Sequence, residues 1–320
     1  MQHLVETYNL TKHFTTSSFL GRAVKVVHAV DDVSIHIDEG ETLGLAGESG
    51  CGKSTLGRTL VQLMEPTSGE VLFKGRNLRS LKRHEIKELR QKVSMVCQDP
   101  LGALNPRRTI LQSLALPFRV HTTMNQSEIH DKVLSLLDFV GLSPAEFYVD
   151  RLPHEFSGGQ RQRINIARAI SLNPDFLVAD EPVSALDLSV RAQILDLMKQ
   201  LKERLNIACL FITHDLSVLR SVSDRVAIMY LGRVVELGQV DDLYLNPLHP
   251  YTKAILSATP VPNPKRKSER IILAGDVPSA TDPPLGCRFH TRCWARKANC
   301  SKDEPRLEDA GSDHFVACHI

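Results

Sequence analysis

The side chains best placed to do chemistry fall in a few short runs. GESGCGKST, residues 47–55, fits the pattern G-x-x-x-x-G-K-S/T and follows the apolar run TLGLAG. That context makes Gly47, Glu48, Ser49, Gly50, Cys51, Gly52, Lys53, Ser54 and Thr55 a loop for nucleotide phosphates. Its glycines let successive amides turn inward, Lys53 neutralises phosphate charge, and the Ser54 hydroxyl can ligate Mg²⁺. FLVADEP ends an apolar strand on Asp180, where a carboxylate would meet that Mg²⁺, and Glu181 follows, suited to polarise an attacking water. His214 closes ITHD and can steady charge on a γ-phosphate, while Gln98 ends KVSMVCQ and can touch both metal and water. A second loop, EFSGGQRQR, places Ser157, Gly158, Gly159 and Gln160 where a helix begins, again as a helix prepares for phosphate. One nucleotide domain thus carries two phosphate-ready loops about a hundred residues apart, which needs explaining.

These runs require a particular scaffold. From about residue 30 to 235 short apolar runs alternate with longer amphipathic ones, the signature of an α/β protein. VSIHI (33–37), with period two, reads as a half-buried antiparallel strand. TLGLAG (42–47), KVSMVC (92–97), DFLVAD (175–180) and ACLFIT (208–213) read as core strands. Val190, Ile194, Leu197 and Leu201 share one face of a helix over 188–205. RVAIMY and RVVEL flank a Leu-Gly turn and predict a hairpin. Residues 99–165 break the rhythm as a helical insertion, with an amphipathic helix over 127–142 ending at Gly141. Beyond residue 240 prolines crowd the chain and predict a loop-rich appendage.

Composition narrows the classes. Of 320 residues, 42% are hydrophobic and 24% charged, with a net charge of only +2, so no global field recruits nucleic acid. No apolar run reaches the 18 or so residues of a membrane-spanning helix, and the first residues lack a secretory layout. A soluble protein is expected, held at a membrane only by something else. Four of the seven cysteines, Cys287, Cys293, Cys300 and Cys318, crowd into the last 34 residues. In a reducing compartment that grouping points to metal before disulfide.

Taken in order, these motifs resemble the ATP-binding subunit of ABC transporters over residues 1–245. GESGCGKST is similar to the Walker A loop, Gln98 to the Q-loop, FSGGQ to the signature, FLVADE to the Walker B strand, SALD (Ser184 to Asp187) to the D-loop, and His214 to the switch histidine. Phe156 stands where leucine is commoner. The resemblance implies a P-loop NTPase core with an antiparallel β subdomain and a helical subdomain at about 99–165. It implies ATP and Mg²⁺, the ion held by Ser54, Gln98 and Asp180, with Glu181, His214 and Gln98 as catalytic residues. It also implies two domains facing head to tail, so that Ser157, Gly158, Gly159 and Gln160 close over the partner's ATP. Many relatives stack adenine on an aromatic residue; Val24 is near the expected place, and Phe14 and Phe19 are upstream candidates.

QDPLGALNPRRTI, HPYTKAIL and the tail from GDVPSATDPPLGCRFHTRC to HFVACHI resemble the dipeptide and oligopeptide importer branch. That implies an extension over 246–320, a second and often non-identical ATPase subunit, two separate membrane permeases, an external solute-binding protein, and a peripheral place on the cytoplasmic side of the inner membrane. Nickel and glutathione are alternative cargoes. DNA-acting relatives usually insert long coiled coils and ribosome-acting ones carry two ATPase domains, and neither feature occurs here. The spacing C-x5-C-x6-C-x17-C lacks tight C-x2-C pairs. The resemblance implies a [4Fe–4S] cluster on these thiols, with zinc or no metal as the alternatives.

Overall fold

In a computed structural model, residues 3–16, 25–259 and 270–319 are described. The chain forms two compact units, residues 1–79 with 211–320 and residues 80–210. The first unit opens with strands β1 (Val5–Thr16), β2 (Lys25–Val33), β3 (His36–Ile37) and β4 (Thr42–Ala46), helix α1 (Lys53–Leu60), then β5 (Ser68–Phe73) and β6 (Arg76–Asn77). The second unit contains α2 (Arg83–Lys92), β7 (Val93–Val96), α3 (Ile110–His121), α4 (Gln126–Phe139), α5 (Gly158–Ile170), β8 (Phe176–Asp180) and α6 (Leu188–Leu205). Strand β9 (Ala208–Ile212) carries the chain back to the first unit. There follow α7 (Leu216–Val222), β10 (Arg225–Tyr230), β11 (Arg233–Gln239), α8 (Val240–Leu245), α9 (Pro250–Ala258), β12 (Glu308–Asp309) and β13 (Phe315–Val316).

The first unit holds two sheets. An antiparallel one runs β2-β1-β5-β6, with β3 also on β1. In the other, β12, β13, β11 and β10 are antiparallel neighbours, and β10 pairs in parallel with β4. Every residue of β4 and β10 is buried, as expected of strands covered on both faces. In the second unit β7 and β8 are parallel, Val96 opposite Ala179, and β8 is likewise wholly buried.

The core strands and the hairpin at Leu231–Gly232 fall where periodicity placed them. Helix α4 begins one residue early because the Asn125 side chain caps it, accepting from the Glu128 amide at 3.0 Å, and Gly141 follows its end with φ 77°. One expectation needs correction. The strand predicted over 33–37 is split: β2 ends at Val33 and only His36 and Ile37 resume pairing, through β3. The loop-rich stretch beyond 240 also contains α8 and α9. Pro250 occupies the first turn of α9, where a missing N–H costs nothing, and His249 caps it by accepting the Tyr251 amide on Nδ1 at 3.0 Å. Residues 246–320, expected as an appendage, fall within the first unit.

Candidate nucleotide site

In the first unit β4 delivers the chain into the glycine loop. Gly47, Gly50 and Gly52 all have positive φ, 154°, 80° and 108°. A β-carbon on Gly52 would lie 1.8 Å from the Ala29 carbonyl oxygen, and one on Gly47 2.2 Å from that of Met229. The space is reserved for bare backbone. Lys53 is only 5% exposed, and its Nζ donates to the carbonyls of Gly47 at 2.7 Å and Glu48 at 3.0 Å. The loop therefore closes around its own ammonium. Helix α1 has Gly52 as its N-cap and no side-chain cap, so its leading amides are left for an anion. Burial pushes the Cys51 thiol up, which keeps it a neutral packing group. The Thr213 amide donates to the Leu45 carbonyl at 3.2 Å, so exposed His214 stands at the same sheet edge as Gly47.

In the second unit the parallel register brings Gln98 and Asp180 to one edge, just beyond the paired Val96 and Ala179. Gln98 is exposed and Asp180 fully buried. Glu181 takes a left-handed backbone with φ 46°, a conformation costing on the order of 1–3 kcal/mol in a non-glycine residue. The following turn holds it: Ser184 donates to the Glu181 carbonyl through its amide at 3.3 Å and its hydroxyl at 3.1 Å. Asp187 caps α6, accepting from the Val190 amide at 3.0 Å, and that bond foremost holds its carboxyl below the usual range. Ser157 and Gln160 form a capping box at the start of α5, the serine oxygen accepting at 3.3 Å and the glutamine oxygen at 3.0 Å. Gly158 is exposed, with nothing nearer its absent β-carbon than Leu186 at 3.7 Å. Phe156 is buried, its ring 6.0 Å from that of Tyr148, which gives the larger side chain a place.

In the second unit Asp180 and Gln98 offer hard oxygen donors of the kind Mg²⁺ prefers, one of them a buried carboxylate fixed at a strand end; in the first, the Ser54 hydroxyl is a donor of the same kind. Phe14 lies on β1 opposite Val27 and is 37% exposed, with the Lys12 ammonium 5.2 Å over its ring, on the strand beside the one whose Ala29 touches Gly52. Val24 and Phe19 lie outside the described residues.

The cysteine tail is joined to this loop by contacts that no motif announced. Arg292, one residue before Cys293, grips Glu48 with both terminal nitrogens, at 2.9 and 3.4 Å. The Tyr251 hydroxyl accepts the Glu48 amide at 2.9 Å. Tyr251 packs on Tyr230 and Phe289 with ring centroids 4.7 and 5.4 Å away. Below Tyr251, the buried carboxylate of Glu236 accepts the amides of Leu248 at 2.7 Å and His249 at 2.9 Å and meets His314 at 2.8 Å. Two segments already singled out by their wording, HPYT and FHTRC, held these residues, but nothing in either said what they would touch.

All four tail cysteines are unbridged. Burial foremost, with a smaller contribution from the nearness of Cys318, Cys300 and Cys293, raises the Cys287 thiol to about 11, so the four thiols feel one another. Among the described residues, the groups of three or more potential ligands drawn within 4.8 Å are His3–His36–Asp38 and His13–His28–Asp31. Neither suits an ion. The His3 and His36 rings stack at 3.9 Å, and His3 Nδ1 is already bonded to Asp38 at 2.5 Å. Asp31 is bonded by Arg288, which also holds the Leu231 carbonyl and fastens the tail to the hairpin.

Comparisons with known proteins agree with this geometry. A family profile described as ABC transporter matches residues 30–184, and one described as oligopeptide/dipeptide transporter, C-terminal region, matches 235–300. The chain is 50% identical to the oligopeptide transport ATP-binding protein AppF of Bacillus subtilis, over 99% of this chain and 97% of that protein. It is 48% identical to the dipeptide transport ATP-binding protein DppF of Haemophilus influenzae, over 99% and 97%. A solved dimeric structure of the ATP-binding cassette MJ0796, in a post-hydrolysis state with ADP and Pi, superposes with a TM-score of 0.66 at 31% identity, covering 74% of this chain and 98% of that one.

Proposed function

We propose, from the premise that this chain belongs to the ABC transporter family of ATP-binding proteins, a division of labour among its residues. The protein is the ATP-hydrolysing subunit of a peptide importer, and it works as a dimeric ATPase with membrane permeases. Among the described residues no helix is long and apolar enough to cross a membrane, which is consistent with permeases on other chains.

Residues 47–55 bind the triphosphate, with Lys53 neutralising it. Ser54, Asp180 and Gln98 would hold Mg²⁺, which supplies charge neutralisation between the phosphates. Glu181 polarises the attacking water and His214 steadies charge on the γ-phosphate. Ser157, Gly158, Gly159 and Gln160 close over ATP on the partner, and Ser184 and Asp187 shape the segment between. The observation that carries this reading is the form of the second phosphate-ready helix. Its N-terminus is capped and exposed, yet nothing like the closed glycine loop of residues 47–55 surrounds it. Such an end is completed by another chain's nucleotide. Glu181→Gln therefore retains ATP binding and accumulates a closed dimer, seen by gel filtration with ATP; a variant that stays monomeric contradicts the scheme.

The partner ATPase is a non-identical relative, and a solute-binding protein outside the membrane delivers the peptide. Docking to the permeases uses the surface around Gln98; the same unit also exposes the apolar side chains Leu101, Leu116, Val120 and Met124. The complex lies on the cytoplasmic face of the inner membrane. The ATPase domain runs to residue 245 and the extension occupies 246–320. Phe14 is the adenine platform.

The tail cysteines hold a [4Fe–4S] cluster. Four unbridged thiols that feel one another lie in this short tail, soft ligands suited to iron and sulfide. Such a cluster would tie the loops of residues 287–300 to Cys318. Iron and sulfide assay of anaerobically purified protein tests this, and stoichiometric zinc or no metal rejects it.

A further inference from the structure

Glu48 presents a physical problem. It is the second residue of a loop built to receive a triphosphate, and a bare carboxylate there would repel the ligand. It is also held more firmly than a surface acid needs to be: the Tyr251 hydroxyl takes its amide, and Arg292 takes both oxygens of its side chain. The Arg292 side chain is 9% exposed and that of Glu48 30%, so the pair is shielded from water enough to matter. Two parallel N–H···O bonds fix orientation as well as charge. Arg292 is placed by the cysteine loop itself, in which the Cys287 amide donates to the Cys300 carbonyl at 2.8 Å and the Arg292 amide to that of Phe289 at 3.0 Å.

We infer that Arg292 is a positioning residue for ATP: it neutralises Glu48 and fixes the entrance of the phosphate loop, so the C-terminal tail completes the nucleotide site of its own chain. Two residues widely separated in sequence converge on this one residue of the loop. Residue 48 carries the charge, residue 251 anchors its backbone, and residue 292 answers the charge from 244 positions away. The tail thereby acts on nucleotide affinity without touching the nucleotide. The inference rests on residues 47–55 binding ATP.

The test is equilibrium binding of MgATP to the full chain. Binding by the unchanged chain and its loss in Lys53→Ala report the phosphate loop itself, so a failure of that reading is seen separately. Arg292→Ala is expected to weaken ATP by about tenfold, the scale of one charged hydrogen-bonded contact. Arg292→Lys regains part of this, because an ammonium restores charge without the planar fork. The decisive chain is Arg292→Ala with Glu48→Gln, which is expected to bind ATP more tightly than Arg292→Ala alone. A tail that had merely loosened would not be repaired by removing a charge at position 48. Unchanged affinity in Arg292→Ala, or a double variant no tighter than that single one, overturns the inference.

Discussion

The two helix starts prepared for phosphate, at Lys53 in the first unit and Gly158 in the second, solve the same electrostatic problem in opposite ways. The first has no side-chain cap and is wrapped by a loop whose lysine is buried and bonded to that loop's own carbonyls. The second is capped by its own serine and glutamine and left open to solvent. One has the form of a pocket in itself; the other is an open surface, which under the proposed function receives another chain's nucleotide. That contrast explains why a single chain carries both, and it separates binding from turnover.

Removing the buried ammonium should erase the distinction. Lys53→Ala is expected to weaken ATP binding by about a hundredfold, since a desolvated charge on phosphate is among the stronger polar contacts. Isothermal calorimetry on the single chain measures it, and a near-native affinity would mean that the wrapped loop is not the pocket. Gly158→Asp should sharpen the distinction instead. Its β-carbon meets only Leu186 at an ordinary 3.7 Å, so the fold accommodates it, and the new carboxylate faces where phosphate must arrive. ATP affinity of the isolated chain should stay constant while hydrolysis by the assembled transporter falls by about a hundredfold. Equal losses in both measurements would make the two loops one site.

A further prediction concerns stability and the support beneath the first pocket. Burial, with a contribution from Lys253, holds His249 down to about 3, so it stays neutral in the folded protein. The unfolded chain protonates it below its usual value of 6.5. Between those values the unfolded state binds the extra proton, so this contribution to stability is present above pH 6.5 and is lost as pH falls towards 3. Its slope is at most about 1.4 kcal/mol per pH unit. Melting curves of the wild-type chain and His249→Asn across pH 4–7 should converge as pH falls. Parallel curves would remove His249 from the acid response.

Much of this was legible in the chain because it is written locally. Glycines at positive φ, Ser157 three residues before Gln160, and apolar runs ending in Asp180 or His214 each state their geometry within a few residues. Strand β1 was missed: VETYNLTKHFTT mixes polar and apolar side chains without clean alternation, and register shifts near Leu10 and Lys12 break its period. Strand β2 was missed for a related reason, because its burial, exposed or half-buried over 25–28 and buried at Ala29, Val30 and Val33, has no period of two.

Sequence by itself determined the chemistry available: a phosphate loop, an acid at a buried strand end, a second helix start, and four thiols in a short tail. Tertiary structure alone decided that Tyr251 and Arg292 both meet Glu48, and that the tail belongs with the loop it follows by more than two hundred residues. Backbone preference acts over one or two turns of chain, whereas the pairing of a buried guanidinium with one carboxylate among many is settled by which surfaces the whole fold brings into contact.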